Sequence, residues 1–166
     1  MRVAEVPVPV IQNATDAIVR VTAAGIFTTD LHVHRGTYLT TVQRPWIMGH
    51  DADAIGIVAE VDDGVNWLRV GDQVIVPDLL CSGHLVMASQ RYQAFGTDTI
   101  DGSQGNAEPP SPPPAPRLEP SLEYLTYADV VPTGWGGLGY VGFEPRDSVA
   151  IFNPGPVGMM SAYSAI

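Results

Sequence analysis

The chain of 166 residues contains no lysine and a single cysteine, and these absences remove several kinds of chemistry. Without a lysine amine, a Schiff-base mechanism is not available to this chain. The lone cysteine, Cys81, excludes an intrachain disulfide and a multi-cysteine zinc cluster within one chain. All 8 basic residues are arginines, and 18 acidic residues bring the net charge to −10. Nucleic acids and anionic membranes would be repelled, so we expect neither as a partner.

Long apolar runs are also missing from the sequence. No run approaches the roughly 18 residues that a membrane span needs, and the segment that follows Met1 lacks the apolar core of a signal peptide. We therefore expect a cytoplasmic protein with no membrane partner. The hydrophobic fraction of 45%, mixed with polar residues, is typical of a globular domain.

Short β-branched segments separated by glycine and aspartate dominate the first half of the chain. The pattern predicts strands over residues 6–11, 17–21, 54–61 and 73–77, with turns at 62–64 and 71–72. Residues 28–44 are polar and are predicted to form a loop. This spacing of strands and turns favours a mainly β fold with short helices, arranged as a small β-barrel.

A change of composition divides the chain after residue 95. In residues 96–120, Gly, Ser, Gln and Asn lead into the proline run Pro109–Pro116. Such a segment favours an extended linker or loop; a ligand for a proline-recognising module is the alternative. We therefore divide the chain into a barrel over residues 1–95, this linker, and a third part over residues 121–166 that opens with a short helix.

The last part of the chain has the pattern that begins a dinucleotide-binding unit. Residues 148–153 predict a buried strand, and the glycine-containing segment Asn153–Gly158 precedes an apolar helix from Met159. In such units a glycine turn lets a pyrophosphate approach a helix N-terminus. Neither a second strand nor an acidic residue about 20 positions later follows. We expect Gly155 and Gly158 to be the vestige of a cofactor site, and no cofactor to bind.

Five stretches together resemble the zinc-type alcohol dehydrogenases of the medium-chain dehydrogenase/reductase superfamily. They are Ala24–His32, Met48–Asp51, Val70–Pro77, Asp129–Trp135 and Asn153–Gly158. Their order and spacing are similar to those of the GroES-like catalytic domain of that family. The resemblance implies a GroES-like β-barrel followed by a stub of a Rossmann domain, one strand and one helix, truncated just after the nucleotide-binding domain begins.

The resemblance also assigns the positions that hold the family's catalytic zinc. Phe27 stands at the position of a cysteine ligand, His50 and Asp51 match the histidine and its adjacent glutamate, and Asp129 matches an aspartate ligand of one branch. A phenyl ring cannot bind a metal, so the resemblance implies that the zinc is lost and no metal is expected. A metal held by the three remaining side chains is the alternative. Residues 52–53 form an apparent insertion after this motif, which alters the geometry of His50.

Other functional positions follow from the same resemblance. Thr29 and His32 match residues that pass a proton from a substrate alcohol towards solvent. The family's four-cysteine structural zinc lobe corresponds to a stretch in which only Cys81 remains. The substrate pocket is expected to be lined by aromatic side chains: Phe27, Trp46 and Trp135.

Three functions remain open at this point. The first is a non-redox enzyme that isomerises, dehydrates or cyclises a small apolar substrate with acid/base groups, namely Thr29, His32, His50, Asp51 and Asp129. The second is a partial zinc-dependent alcohol dehydrogenase, and the third is a binding protein without activity. In each case we expect a homodimer, because the strand and helix over residues 148–166 would otherwise expose an apolar surface.

Overall fold

The computed structural model describes residues 2–37, 47–49, 53–82, 91–95, 101–103, 122–152 and 155–166, and only the backbone of residues 79–82 and 91–94. The described elements are, in chain order, strand β1 (Ala17–Ala24), helix α1 (Thr28–His34), strands β2 (Ala54–Val61), β3 (Gln73–Val76), β4 (Leu79–Ser82) and β5 (Arg91–Ala94), a 3-10 helix (Leu122–Tyr127), and helices α2 (Val130–Tyr140) and α3 (Pro156–Ser164). The architecture is thus mainly β with short helices, as the sequence predicts.

Strand β2 is the centre of the fold. It pairs antiparallel with β1 on one side and β3 on the other, in the order β1-β2-β3. Ala54, Ile55 and Val58 of β2 are all buried. At Gly56 a Cβ atom would lie 2.5 Å from Cγ1 of Val19 on β1. Only glycine therefore allows β1 to pack this closely on β2.

Two further pairs of elements complete the described part of the chain. Strands β4 and β5 form a two-stranded antiparallel ribbon. Helices α2 and α3 pack against each other at Gly134, where a Cβ atom would lie 2.8 Å from the backbone nitrogen of Ser161. The Ser161 hydroxyl donates to the Gly134 carbonyl oxygen at 3.1 Å. Among the described helices, none is long and apolar enough to cross a membrane.

The strands predicted over residues 17–21, 54–61 and 73–77 are confirmed as β1, β2 and β3. The prediction for residues 6–11 is wrong, since this segment is largely exposed and forms no strand. Pro7 and Pro9 cannot donate the backbone hydrogen bonds that a sheet ladder needs.

Two other predicted elements differ in the structure. Residues 28–34 of the predicted loop form helix α1. The segment 148–152 forms no strand, and Phe152 is 89% exposed. A strand needs a neighbour with which to pair, and the described residues place none beside this segment.

The helices of the last part agree with the sequence more closely. The short helix predicted after residue 120 is present as the 3-10 helix, and α2 follows it directly. Helix α3 begins at Pro156, three residues before the predicted start at Met159. Proline suits the first position of a helix because the missing N–H group would have no partner inside the helix.

Candidate functional site

A buried carboxylate organises the start of helix α1. Asp30 is 3% exposed. One of its oxygens, Oδ2, accepts a hydrogen bond from the backbone N–H of Phe27 at 2.9 Å, and Oδ1 accepts one from the N–H of Gly49 at 3.1 Å. Asp30 therefore fixes residue 27 and holds it near Gly49, which directly precedes His50 in the sequence.

A second buried carboxylate, Asp53, lies directly before strand β2 and is 6% exposed. Its Oδ1 atom accepts hydrogen bonds from the backbone N–H groups of Asp129 at 2.7 Å and Val130 at 3.4 Å. Its carbonyl oxygen accepts from the N–H of Gly25 at 2.7 Å. Asp53 thus connects the segment before α1 with the first residues of α2.

Burial raises the pKa of the Asp53 carboxyl above its usual value. The hydrogen bonds from Asp129 and Val130 favour the carboxylate and oppose this rise, whereas the negative charge of the Asp129 side chain adds to it. The removal from water has the largest effect, so the protonated form is more favoured than in an exposed aspartate. A carboxyl of this kind can hold a proton at a higher pH than usual.

Asp129 is the N-cap residue of α2, and its side chain makes no capping hydrogen bond. Instead, the hydroxyl of Thr133, one turn further along the helix, donates to Oδ1 of Asp129 at 2.6 Å. The hydrogen bond from the Asp129 backbone N–H group to Asp53 places this predicted site residue beside Asp53.

Thr29 and His32 lie three residues apart on α1, and side chains at this spacing share one face of a helix. Thr29 is half-buried and His32 is exposed. Nδ1 of His32 lies 3.3 Å from the hydroxyl oxygen of Thr37, which also donates to the His32 carbonyl oxygen. The two side chains therefore run from the partly buried side of α1 towards solvent.

The aromatic residues predicted to line the pocket are only partly placed. Phe27 is half-buried and directly precedes α1. Trp135 lies on α2 and is 66% exposed. Its pocket-lining role stays a prediction, as do the roles of Trp46, His50 and Asp51, which lie outside the described residues.

The predicted zinc positions are residues 27, 50, 51 and 129. Of these positions, residues 27 and 129 are described; Phe27 has no electron pair to donate, and Oδ1 of Asp129 already accepts from Thr133. Within the described ranges, His, Cys, Asp and Glu side chains form no group of three or more that could hold a metal ion. Phe27 therefore does not fit a catalytic zinc, and a metal held by His50, Asp51 and Asp129 stays the alternative.

The predicted cofactor residues lie at the N-terminus of α3. Gly155 is the N-cap residue with an extended backbone, and Gly158 is in the first turn of the helix. Among the described residues, no atom outside the adjoining chain would lie within 4 Å of a Cβ atom at Gly155. The first-turn N–H groups of α3 suit a phosphate, so these residues fit part of a dinucleotide, its pyrophosphate.

Sequence analysis missed Asp30 and Asp53 as organisers of the site. Asp30 stands three residues after the N-cap position of α1, a spacing at which an acidic side chain often binds the backbone of that cap. This signal could have revealed both the helix and its buried acid. The burial of Asp53 depends on α2, 76 positions away, and no local pattern signals such a contact.

Comparisons with known proteins agree with this arrangement. The alcohol dehydrogenase GroES-like domain matches residues 13–108. An uncharacterized zinc-type alcohol dehydrogenase-like protein of Bacillus subtilis is 27% identical over 96% of this chain and 48% of its own length. A medium chain reductase/dehydrogenase of an Acremonium species is 30% identical over 96% of this chain and 60% of its own length.

A solved structure is similar over nearly the whole chain. The alcohol dehydrogenase of Thermus sp. ATN1 superimposes with a TM-score of 0.79 and 29% identity, over 98% of this chain and 50% of that one. The predicted fold class, a GroES-like domain with a small Rossmann stub, is thereby confirmed. The chain spans about half the length of the relatives that it matches. Because the GroES-like domain covers residues 13–108 of 166, the chain belongs to the zinc-type alcohol dehydrogenase-like proteins of the medium-chain dehydrogenase/reductase superfamily.

Proposed function

We propose that this chain forms the substrate-binding part of an oxidoreductase that converts small alcohols into aldehydes or ketones with a nicotinamide cofactor. The observation that carries the proposal is the joining of two segments by Asp53: the segment that leads into α1 with Thr29 and His32, and the start of α2 with Asp129. The relatives described above, which are dehydrogenases, support the same reaction class.

Oxidation of an alcohol removes a hydride from the carbinol carbon and a proton from the oxygen. The nicotinamide, when bound, supplies the acceptor for the hydride. The chain's own residues accept the proton and release it to water. Thr29 receives it from the substrate oxygen while giving its own hydroxyl proton to the imidazole of His32, which is exposed and releases the proton to water.

The test compares two histidines of the same short helix. Purified chain is incubated with NAD or NADP and a panel of short alcohols, polyols and formaldehyde, and formation of the reduced cofactor is followed by absorbance. His32→Asn should lower the rate by about 100-fold or more, the effect typical of a positioned acid/base group. His34→Asn is the matched control, because His34 is also exposed on α1 and has no role in the relay.

Equal rates for the two variants would contradict the role of His32 in the relay. Failure of the unaltered chain both to reduce either cofactor and to bind any alcohol of the panel in calorimetric titration would contradict the proposed function.

A second candidate is acid/base chemistry without a redox step, on a small apolar substrate. It is favoured by Phe27, which stands where the family has a zinc ligand, and by the raised pKa of Asp53 beside the Asp129 carboxylate. Incubation without nicotinamide followed by mass spectrometry separates the candidates. A product of unchanged mass indicates isomerisation or cyclisation, and a product lighter by one water indicates dehydration.

We also propose that the chain forms a homodimer through α3. Met159, Tyr163 and Ile166 are apolar residues in or next to this helix, and all three are exposed. Pairing of two copies about a twofold axis would cover them. The net charge of −10 on each copy opposes association, so the dimer is expected to be stronger at high salt.

A further inference from the structure

Asp53 has a place in this chain that the family resemblance does not explain. It belongs to the apparent insertion at residues 52–53, between the motif that ends at Asp51 and strand β2. Its side chain is nevertheless buried and bonded to α2. A buried carboxylate in an inserted segment costs free energy unless hydrogen bonds compensate for the lost water.

The first turn of α2 shows what Asp53 does. A helix leaves its first N–H groups without partners inside the helix, and the N-cap side chain usually accepts one of them. Asp129 is the N-cap residue of α2, yet its own side chain does not do so. Oδ1 of Asp53 accepts from the Asp129 and Val130 N–H groups instead. The cap of α2 therefore comes from a residue far away in the sequence.

Capping by Asp53 affects where the Asp129 carboxylate can lie. An uncapped helix N-terminus attracts a negative charge, so without Asp53 the Asp129 side chain would turn back towards the first N–H groups of its own helix. With Asp53 in that position, Oδ1 of Asp129 accepts from the Thr133 hydroxyl. The carbonyl oxygen of Asp53 also holds Gly25, so one residue sets the position of both segments.

We infer that Asp53 is a positioning residue that caps α2 and thereby holds the Asp129 carboxylate against Thr133. Only the expected effect on turnover rests on the proposed function. The placement of Asp129 is a separate claim that can be measured without a substrate.

The test uses three variants of Asp53 in the full chain. Asp53→Asn keeps an oxygen acceptor at the same place, Asp53→Glu keeps the charge but moves the acceptor by one methylene, and Asp53→Ala removes both. Asp147→Ala is the matched control, because Asp147 also accepts a backbone N–H group, that of Glu144 at 2.9 Å, but in an exposed turn. NMR follows amide hydrogen exchange at Asp129 and Val130 and the carbon-13 signal of the Asp129 carboxyl.

In Asp53→Ala we expect exchange of the two amides to accelerate by about tenfold or more, as for loss of hydrogen bonds to a charged acceptor, and the Asp129 carboxyl signal to shift. Asp53→Asn should restore both readouts, and Asp147→Ala should change neither. If Asp53→Ala does not fold, Asp53→Glu is compared with Asp53→Asn instead. We expect Asp53→Glu to shift the Asp129 carboxyl signal. Unchanged exchange and an unchanged Asp129 signal in Asp53→Ala or Asp53→Glu would overturn the inference.

Turnover gives the second readout. In the alcohol assay, kcat of Asp53→Ala should fall by about tenfold with little change in KM, and Asp53→Asn should recover most of it. If kcat of Asp53→Ala equals that of Asp147→Ala, Asp53 only caps α2, and the inferred positioning role is wrong. If the unaltered chain shows no turnover, the NMR measurements alone decide the placement of Asp129.

Discussion

Asp30 and Asp53 are the buried charged residues in the described part of the chain, and each of them bonds to backbone N–H groups of another segment. Carboxylates that accept such hydrogen bonds can stay buried, because the amides replace the lost water. At the scale of single residues, these two acids hold together the segments that carry the candidate site.

The raised pKa of Asp53 predicts a pH-dependent stability. A carboxyl whose folded pKa lies above its unfolded value of 3.8 stabilises the fold fully below that value. The stabilisation is lost as the pH rises through the folded pKa. Asp53→Asn lacks this titration, so its melting temperature should rise relative to the unaltered chain as the pH increases from acid to neutral. Thermal unfolding over a pH series checks this, with Asp147→Asn as control; a constant difference between Asp53→Asn and the unaltered chain would contradict it.

A single substitution at position 27 tests the expected loss of the catalytic zinc. Phe27→Cys returns a thiolate to the position at which the family has a ligand, so zinc retained after dialysis against a mild chelator should increase towards stoichiometric. Phe152→Cys is the control, because Phe152 is exposed and far in the sequence from the proposed ligands. Metal analysis that finds equal zinc in the two variants would show that His50 does not face residue 27.

At the scale of elements, the contact between α2 and α3 depends on Gly134. Gly134→Ala would place a Cβ atom 2.8 Å from the Ser161 backbone, so the helices must separate. We expect a loss of about 1–3 kcal/mol in the free energy of unfolding, as for other overpacked sites. Gly137→Ala, on the same helix with nothing within 4 Å, should instead be neutral or stabilising. Urea unfolding that finds Gly134→Ala as stable as Gly137→Ala would refute this close packing.

The elements also show which parts of the fold local sequence patterns predict. Strands β1, β2 and β3 were predicted because β-branched residues between glycine and aspartate turns have a strong local preference. Helix α1 was missed because its polar composition resembles a loop, although the spacing of Asp30 from the cap position is a local signal for a helix start.

The candidate site was predictable where a motif is local, as for Thr29 and His32, which share a motif and one helix. It was not predictable where the contact is distant in sequence, as between Asp53 and Asp129. The first kind of contact follows from helix geometry, whereas the second depends on how the whole chain packs.

At the scale of the whole molecule, the exposed apolar residues of α3 predict association. Light scattering at low micromolar concentration should give twice the 17.7 kDa mass of the chain. Tyr163→Asp, which places a charge on a side chain that is 77% exposed on α3, should yield the monomer. Trp67→Asp is the control, an equally exposed aromatic residue between β2 and β3. A monomeric unaltered chain would end the dimer proposal, and a dimer that survives Tyr163→Asp would place the interface elsewhere.

The central claim is that this chain takes part in hydride transfer from a small alcohol to a nicotinamide. The most direct measurement supplies a secondary alcohol that carries deuterium in place of its single carbinol hydrogen, together with oxidised cofactor, and mass spectrometry then locates the label. We expect deuterium in the reduced nicotinamide and a carbonyl product that has lost it. Conversion of the alcohol to a product that keeps the label, with no deuterium in the cofactor, would contradict the account and favour acid/base chemistry without a redox step.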